Sequence, residues 1–128
     1  KIIPILIEVN VAEEESKYGI SVLECEDFIR ECATLPGIQI KGLMTIAPYV
    51  ENGEENRKYF QALKQLSVDI MQKNIDNVTM GSLSMGMSGD YEVAAEEGAT
   101  YVRVQVEGAP KYGTKEIGQW LVEYIKQN

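Results

Sequence analysis

Four apolar runs, each followed by a polar or amphipathic stretch, limit what this 128-residue chain can fold into. Pro4 to Val9 is a nearly continuous apolar run, as expected for a strand covered on both faces. Ile38 to Ile46 alternates at first and then turns wholly apolar, and a third strand is predicted over Thr79 to Met85. The fourth, Tyr101 to Val106, alternates strictly: Tyr101, Arg103 and Gln105 on one face, Val102, Val104 and Val106 on the other.

Helical signals fill the intervals. Ser21 followed by Glu24 is a capping box, and behind it Cys25, Phe28, Ile29 and Cys32 give one apolar face before Pro36-Gly37 stops the helix. Gly53 to Gln72 carries a stripe of Tyr59 or Phe60, Leu63, Leu66, Ile70 and Met71, ended by Asn74. A short helix from Asp90 to Glu97 closes at Gly98. Thr114 caps a last helix with Ile117, Trp120, Leu121, Tyr124 and Ile125 inward.

Strand–helix repeated four times implies parallel strands with right-handed crossovers, an α/β domain covering residues 1–128. Two architectures satisfy it: half of a (β/α)8 barrel, or an open flavodoxin-like sheet with helices on both faces. The fourth helix favours the open sheet. Four parallel strands cannot close a barrel alone, so the half-barrel implies open edges and a homodimer that completes it. Either way, chemistry belongs at the C-terminal ends of the strands, at Asn10 to Lys17, Ala47 to Gly53, Met87 to Asp90 and Glu107 to Gly113.

A net charge of −8 gives no basic footprint for nucleic acid, and no run reaches the apolar length of a membrane span. Histidine is absent, which removes the Ser-His-Asp triad and the usual zinc sites. Cys25 and Cys32 lie seven apart on one helix, roughly 10 Å, beyond disulfide reach. They fit a cytoplasmic protein with core thiols. The acidic runs Glu13-Glu14-Glu15 and Glu54-Glu55 lack calcium-loop spacing and read as solvated surface.

The stretch with most chemical content is Leu83-Ser84-Met85-Gly86-Met87-Ser88-Gly89-Asp90, a buried strand running into a helix start. Ser88 is placed as the cap, with Gly89 and Asp90 in the first turn. Unpaired N–H groups there can hold an anion such as phosphate, and a plain cap is the alternative.

Ile7-Glu8-Val9-Asn10, Glu15 to Gly19, Lys41 to Ile46, Leu83 to Asp90, Glu97 to Thr100 and Val102-Arg103-Val104 fall in the order of a known family. Over residues 4–104 the chain resembles the pyridoxal-5′-phosphate homeostasis proteins of the YggS/PROSC type, in their second half. The resemblance implies an alanine-racemase-type β/α barrel that binds pyridoxal phosphate (PLP) and buffers or delivers it without established catalysis. It implies a phosphate cup of Ser84, Ser88, Gly89 and Arg103. The family's Schiff-base lysine lies on a first strand that has no counterpart here. Lys41 enters its strand at the wrong end, and Lys17 matches only a loop motif.

The family's Gly-Thr pair after the arginine is Gln105-Val106 here, followed by Glu107, so half the cup is altered. Residues 105–128 depart from the family and, together with the start without Met, suggest an engineered, chimeric or truncated chain. Two functional expectations follow: a homeostasis-family fragment with little cofactor binding of its own, or a purely structural α/β module. With no nucleotide fingerprint, an enzyme is not expected.

Overall fold

The computed structural model describes residues 1–15 and 18–104. The predicted last helix, the altered Gln105-Val106-Glu107 segment and Lys17 lie outside the described residues. Among those described the order is β1 (Ile3–Glu8), α1 (Val22–Ala33), β2 (Ile38–Met44), a 3-10 turn (Gly53–Asn56), α2 (Arg57–Gln72), β3 (Val78–Met87), α3 (Tyr91–Glu96) and β4 (Tyr101–Arg103).

The four strands are parallel and lie in chain order, β1-β2-β3-β4. A doubly wound sheet reverses direction at some strand; this one does not. Right-handed crossovers that all advance the same way put every helix on one face. The described chain is therefore a curled half-barrel, and the open-sheet alternative gives way to it. No helix of the described residues is long and apolar enough to cross a membrane.

The core lies between that face and the helices. Ile7 and Val9 from β1 and its end, Ile40 and Leu43 from β2, and Met80, Leu83 and Met85 from β3 meet Cys25, Ile29, Phe60, Leu63, Ile70, Val93 and Ala94. Each fully buried aliphatic or aromatic side chain contributes about 1.5–3 kcal/mol of transfer free energy. On the opposite, inner face stand Leu6, Glu8, Met44, Ser82 and Ser84, all half-buried.

The helices begin and end much as their sequences direct. Ser21 caps α1, its hydroxyl accepting the Glu24 N–H at 3.2 Å. Asn74, at φ 51°, takes the left-handed conformation that stops α2. The predicted Gly53–Gln72 helix divides into the 3-10 turn and α2. Its stripe is Phe60, Leu63, Ser67 and Ile70, with Leu66 half-buried. Met71 is 53% exposed, because the residue after Ile70 sits about 100° further round the helix. On α1, Phe28 is 39% exposed and lies beside, not within, the Cys25–Ile29 face.

Thr45 laces the strand ends together. Its buried hydroxyl donates to the Val9 carbonyl at 2.6 Å, and its N–H donates to the Ser84 carbonyl at 3.0 Å. Thr100 does the same for β3 and β4, accepting the Leu83 N–H at its hydroxyl and donating its own N–H to the Leu83 carbonyl.

Gly42 governs the β2–β3 spacing. A Cβ built there would lie 1.7 Å from the Ser82 carbonyl oxygen, a backbone atom that no rotamer change can move. Gly42→Ala is expected to cost about 3 kcal/mol in urea unfolding, whereas Gly81→Ala, where nothing lies within 4 Å, changes stability by less than about 0.5 kcal/mol. Equal midpoints for the two variants would remove the packing argument.

Candidate functional site

The register brings the predicted phosphate residues to one corner. Met87, the last residue of β3, is paired with Arg103, the last of β4. Ser88 and Gly89 follow at once in an exposed turn. A Cβ built at Gly89 would meet nothing nearer than the Val50 carbonyl oxygen at 3.9 Å. Ser84 is on the inner face of the same strand, three residues and about 10 Å below Met87. Ser88, Gly89 and Arg103 are thus neighbours, and Ser84 lies below them toward the sheet interior.

The helix start differs from expectation. The N-cap of α3 is Asp90, not Ser88, and its side chain does not cap. Its Oδ1 instead accepts the Met87 N–H at 2.6 Å, while its own N–H donates to the Met87 carbonyl at 3.1 Å. These two bonds close the Met87–Asp90 turn. Gly86, at φ 102°, enters it; a Cβ there would lie 2.6 Å from that of Ala94.

The 3-10 turn supports this corner from the side. Asn56, fully buried, donates from Nδ2 to the Pro48 carbonyl and to Asp90 Oδ2, both at 2.8 Å. Gly53 packs on the turn, where a Cβ would fall 2.7 Å from the Gly89 carbonyl oxygen. Sequence reasoning missed Asn56. An asparagine at a helix start ordinarily signals a local cap, and its partner here is 34 residues away.

Arg57 joins the start of α2 to the end of α3. It donates to both carboxylate oxygens of Glu54 at 2.8 Å, to Glu97 at 2.6 Å and to Glu96 at 3.3 Å. The hydrogen bond from Arg57, with its charge, holds the Glu54 carboxyl below the usual range, and the three carboxylates push the guanidinium up. Away from the corner, burial pushes the Cys25 thiol up to about 11, which keeps it protonated and inert. Cys25 and Cys32 are both free thiols. Among the described residues no cluster of His, Cys, Asp or Glu has the makings of a metal site.

The first predicted loop is built around Asn10, which donates to the Glu14 carbonyl at 2.7 Å and accepts the Glu14 N–H at 3.2 Å. No described lysine stands at the C-terminal end of a strand. Lys41 lies three residues short of the end of β2, and Lys58 and Lys64 belong to α2. The Ser88-Gly89 turn and Arg103 carry N–H, hydroxyl and guanidinium donors, the chemistry that an anion calls for.

A parallel half-barrel, with a glycine-containing turn after its third strand and an arginine at the end of its fourth, is the β/α architecture of this chain. Residues 1–106 match the alanine racemase N-terminal domain family, and the chain belongs to it. It is 46% identical over 100 residues to the pyridoxal phosphate homeostasis protein of Aquifex aeolicus, covering 78% of this chain and 43% of that protein. It also resembles PipY of Synechococcus elongatus, solved without and with PLP bound. The TM-scores are 0.71 and 0.66 at 29% and 27% identity, covering 79% of this chain and 46% of PipY. The chain spans just under half the length of these relatives.

The depressed Glu54 carboxyl carries a sign. A group whose folded-state pKa is lowered adds stability above its unfolded pKa and loses it as pH falls through the lowered value. The stability difference between wild type and Arg57→Ala should therefore narrow as pH falls below the ordinary carboxylate range, read from urea midpoints. A difference constant across that window would detach Glu54 from Arg57.

Proposed function

We propose that this chain carries the phosphate-holding part of a PLP site of the homeostasis type, in a binding and not a catalytic role. The Ser88-Gly89 turn presents N–H and hydroxyl donors to the phosphate, Arg103 supplies the counter-charge, and Ser84 lines the inner face below. The observation that carries this is the Met87–Arg103 pairing, which sets the arginine beside the turn. The PLP-bound structure of PipY supports PLP as the ligand. Taken by itself, the chain holds PLP weakly and without a covalent bond.

Titration calorimetry with PLP and with inorganic phosphate tests both parts. Weak saturable binding is expected, reduced at least about tenfold in Arg103→Ala, since a hydrogen bond to a charged group is worth about 1.5–3 kcal/mol. Equal binding by the two proteins would remove Arg103 from the site. Borohydride treatment with PLP should leave the mass unchanged. An adduct on Lys17 would overturn the non-covalent reading.

We also propose that two copies pair through sheet edges. Among the described strands β1 pairs with β2 alone; Ile20 covers its other edge only at the Glu8–Asn10 end, and Ile3 at its start and Ile2 just before it are 54% and 65% exposed. Sedimentation velocity should show a concentration-dependent dimer; a monomer throughout the micromolar range would rule the pairing out.

A further inference from the structure

Asn56 occupies the N-cap position of α2, yet its side chain makes no cap hydrogen bond there. The amide is wholly buried and directed at another part of the fold. Both Nδ2 hydrogen bonds leave the helix, one to the Pro48 carbonyl and one to Asp90 Oδ2. Its Oδ1 is buried with no hydrogen-bond partner among the described residues, so the orientation is set by the donor side. A buried asparagine that leaves its own helix uncapped and half its amide unpaired holds something that a simpler residue could not.

What it holds is a carboxylate with two tasks. Asp90 Oδ1 takes the Met87 N–H at 2.6 Å, and Oδ2 takes the Asn56 amide at 2.8 Å. With one oxygen on each donor the Asp90 side chain is fixed in rotation. Both oxygens of the Asp90 carboxylate are thereby engaged by protein donors, two residues from Ser88. Gly53 against the Gly89 carbonyl gives the same two segments a second contact, so the 3-10 turn and the Met87–Asp90 turn are registered at two points.

We infer that Asn56 is a positioning residue for phosphate binding. Acting through Asp90, it fixes the Met87–Asp90 turn and keeps the Asp90 carboxylate engaged with protein donors, so that it does not oppose the incoming anion. This rests on the reading of Ser88, Gly89 and Arg103 as the phosphate-holding group.

The test compares wild type with Asn56→Ala and Asn56→Leu in the full chain. Leucine keeps nearly the same volume, so it carries the same readouts should the alanine variant fail to fold. The first readout needs no ligand: the Met87 amide proton, bonded to a carboxylate, should resonate far downfield in wild type and move upfield in either variant. The second is titration with inorganic phosphate, followed at the Ser88 and Gly89 amides, with an expected loss of about tenfold in affinity. A purely structural Asn56 would move the Met87 amide but leave the phosphate affinity of the folded variants unchanged. An unmoved Met87 amide, or phosphate affinity within about twofold of wild type, overturns the inference. If wild type itself shows no phosphate binding, it is the functional reading that fails. The Met87 amide then decides alone whether Asn56 sets the turn: a moved resonance upholds it, an unmoved one ends it.

Discussion

Every described helix must lie on the same side of the sheet, and most of the molecule follows from that. Parallel strands can be joined only by crossovers, crossovers have one hand, and these strands are laid down in chain order without a reversal. One face of the sheet therefore receives all the core side chains, from Ile7 to Met85. The other keeps Glu8, Ser82 and Ser84, and the loops at the strand ends collect at one rim. The corner formed by Met87, Ser88 and Arg103 is a consequence of this winding before it is a property of those residues.

Electrostatics at that rim are arranged against the chain's own composition. The chain carries a net charge of −8, yet the acids beside this corner are held by protein donors. Asp90 lies two residues from Ser88, and both of its oxygens are occupied by donors from the protein. Arg57, engaged with Glu54, Glu96 and Glu97, gathers three further carboxylates on the side where α2 meets α3. Arg103 enters from the neighbouring strand, opposite Met87.

Much of the fold was legible in the sequence because its signals are local. The run Pro4 to Val9, the Ser21 cap, the left-handed Asn74 and the Leu83–Met85 core positions all express preferences settled within a few residues. What escaped depends on partners distant in sequence. Ser88 looked like a helix cap because serine usually is one; the helix begins later because Asp90 is tied back to Met87. Asn56 looked like part of a helix, and its true partner is Asp90. The order of strands, which separates a half-barrel from an open sheet, is not encoded in any single element.

The irregular pairing within β3 has a consequence for which of its residues face inward. Val78 and Met80 belong to the core, yet so do Leu83 and Met85, which have the opposite parity. The strand's alternation slips once near Gly81, where the β2–β3 register shifts, and again near Gly86, where three residues of β3 span two of β4. The two slips behave like a pair of dislocations of opposite sign in a crystal row. Far from them the row is undisturbed, so Met87 arrives on the face it would have had in an unbroken strand. Between them the row is inverted: Leu83 and Met85 are turned into the core and Ser82 and Ser84 out of it. A sequence that would have buried two serines buries a leucine and a methionine, and the end of the strand keeps its aim.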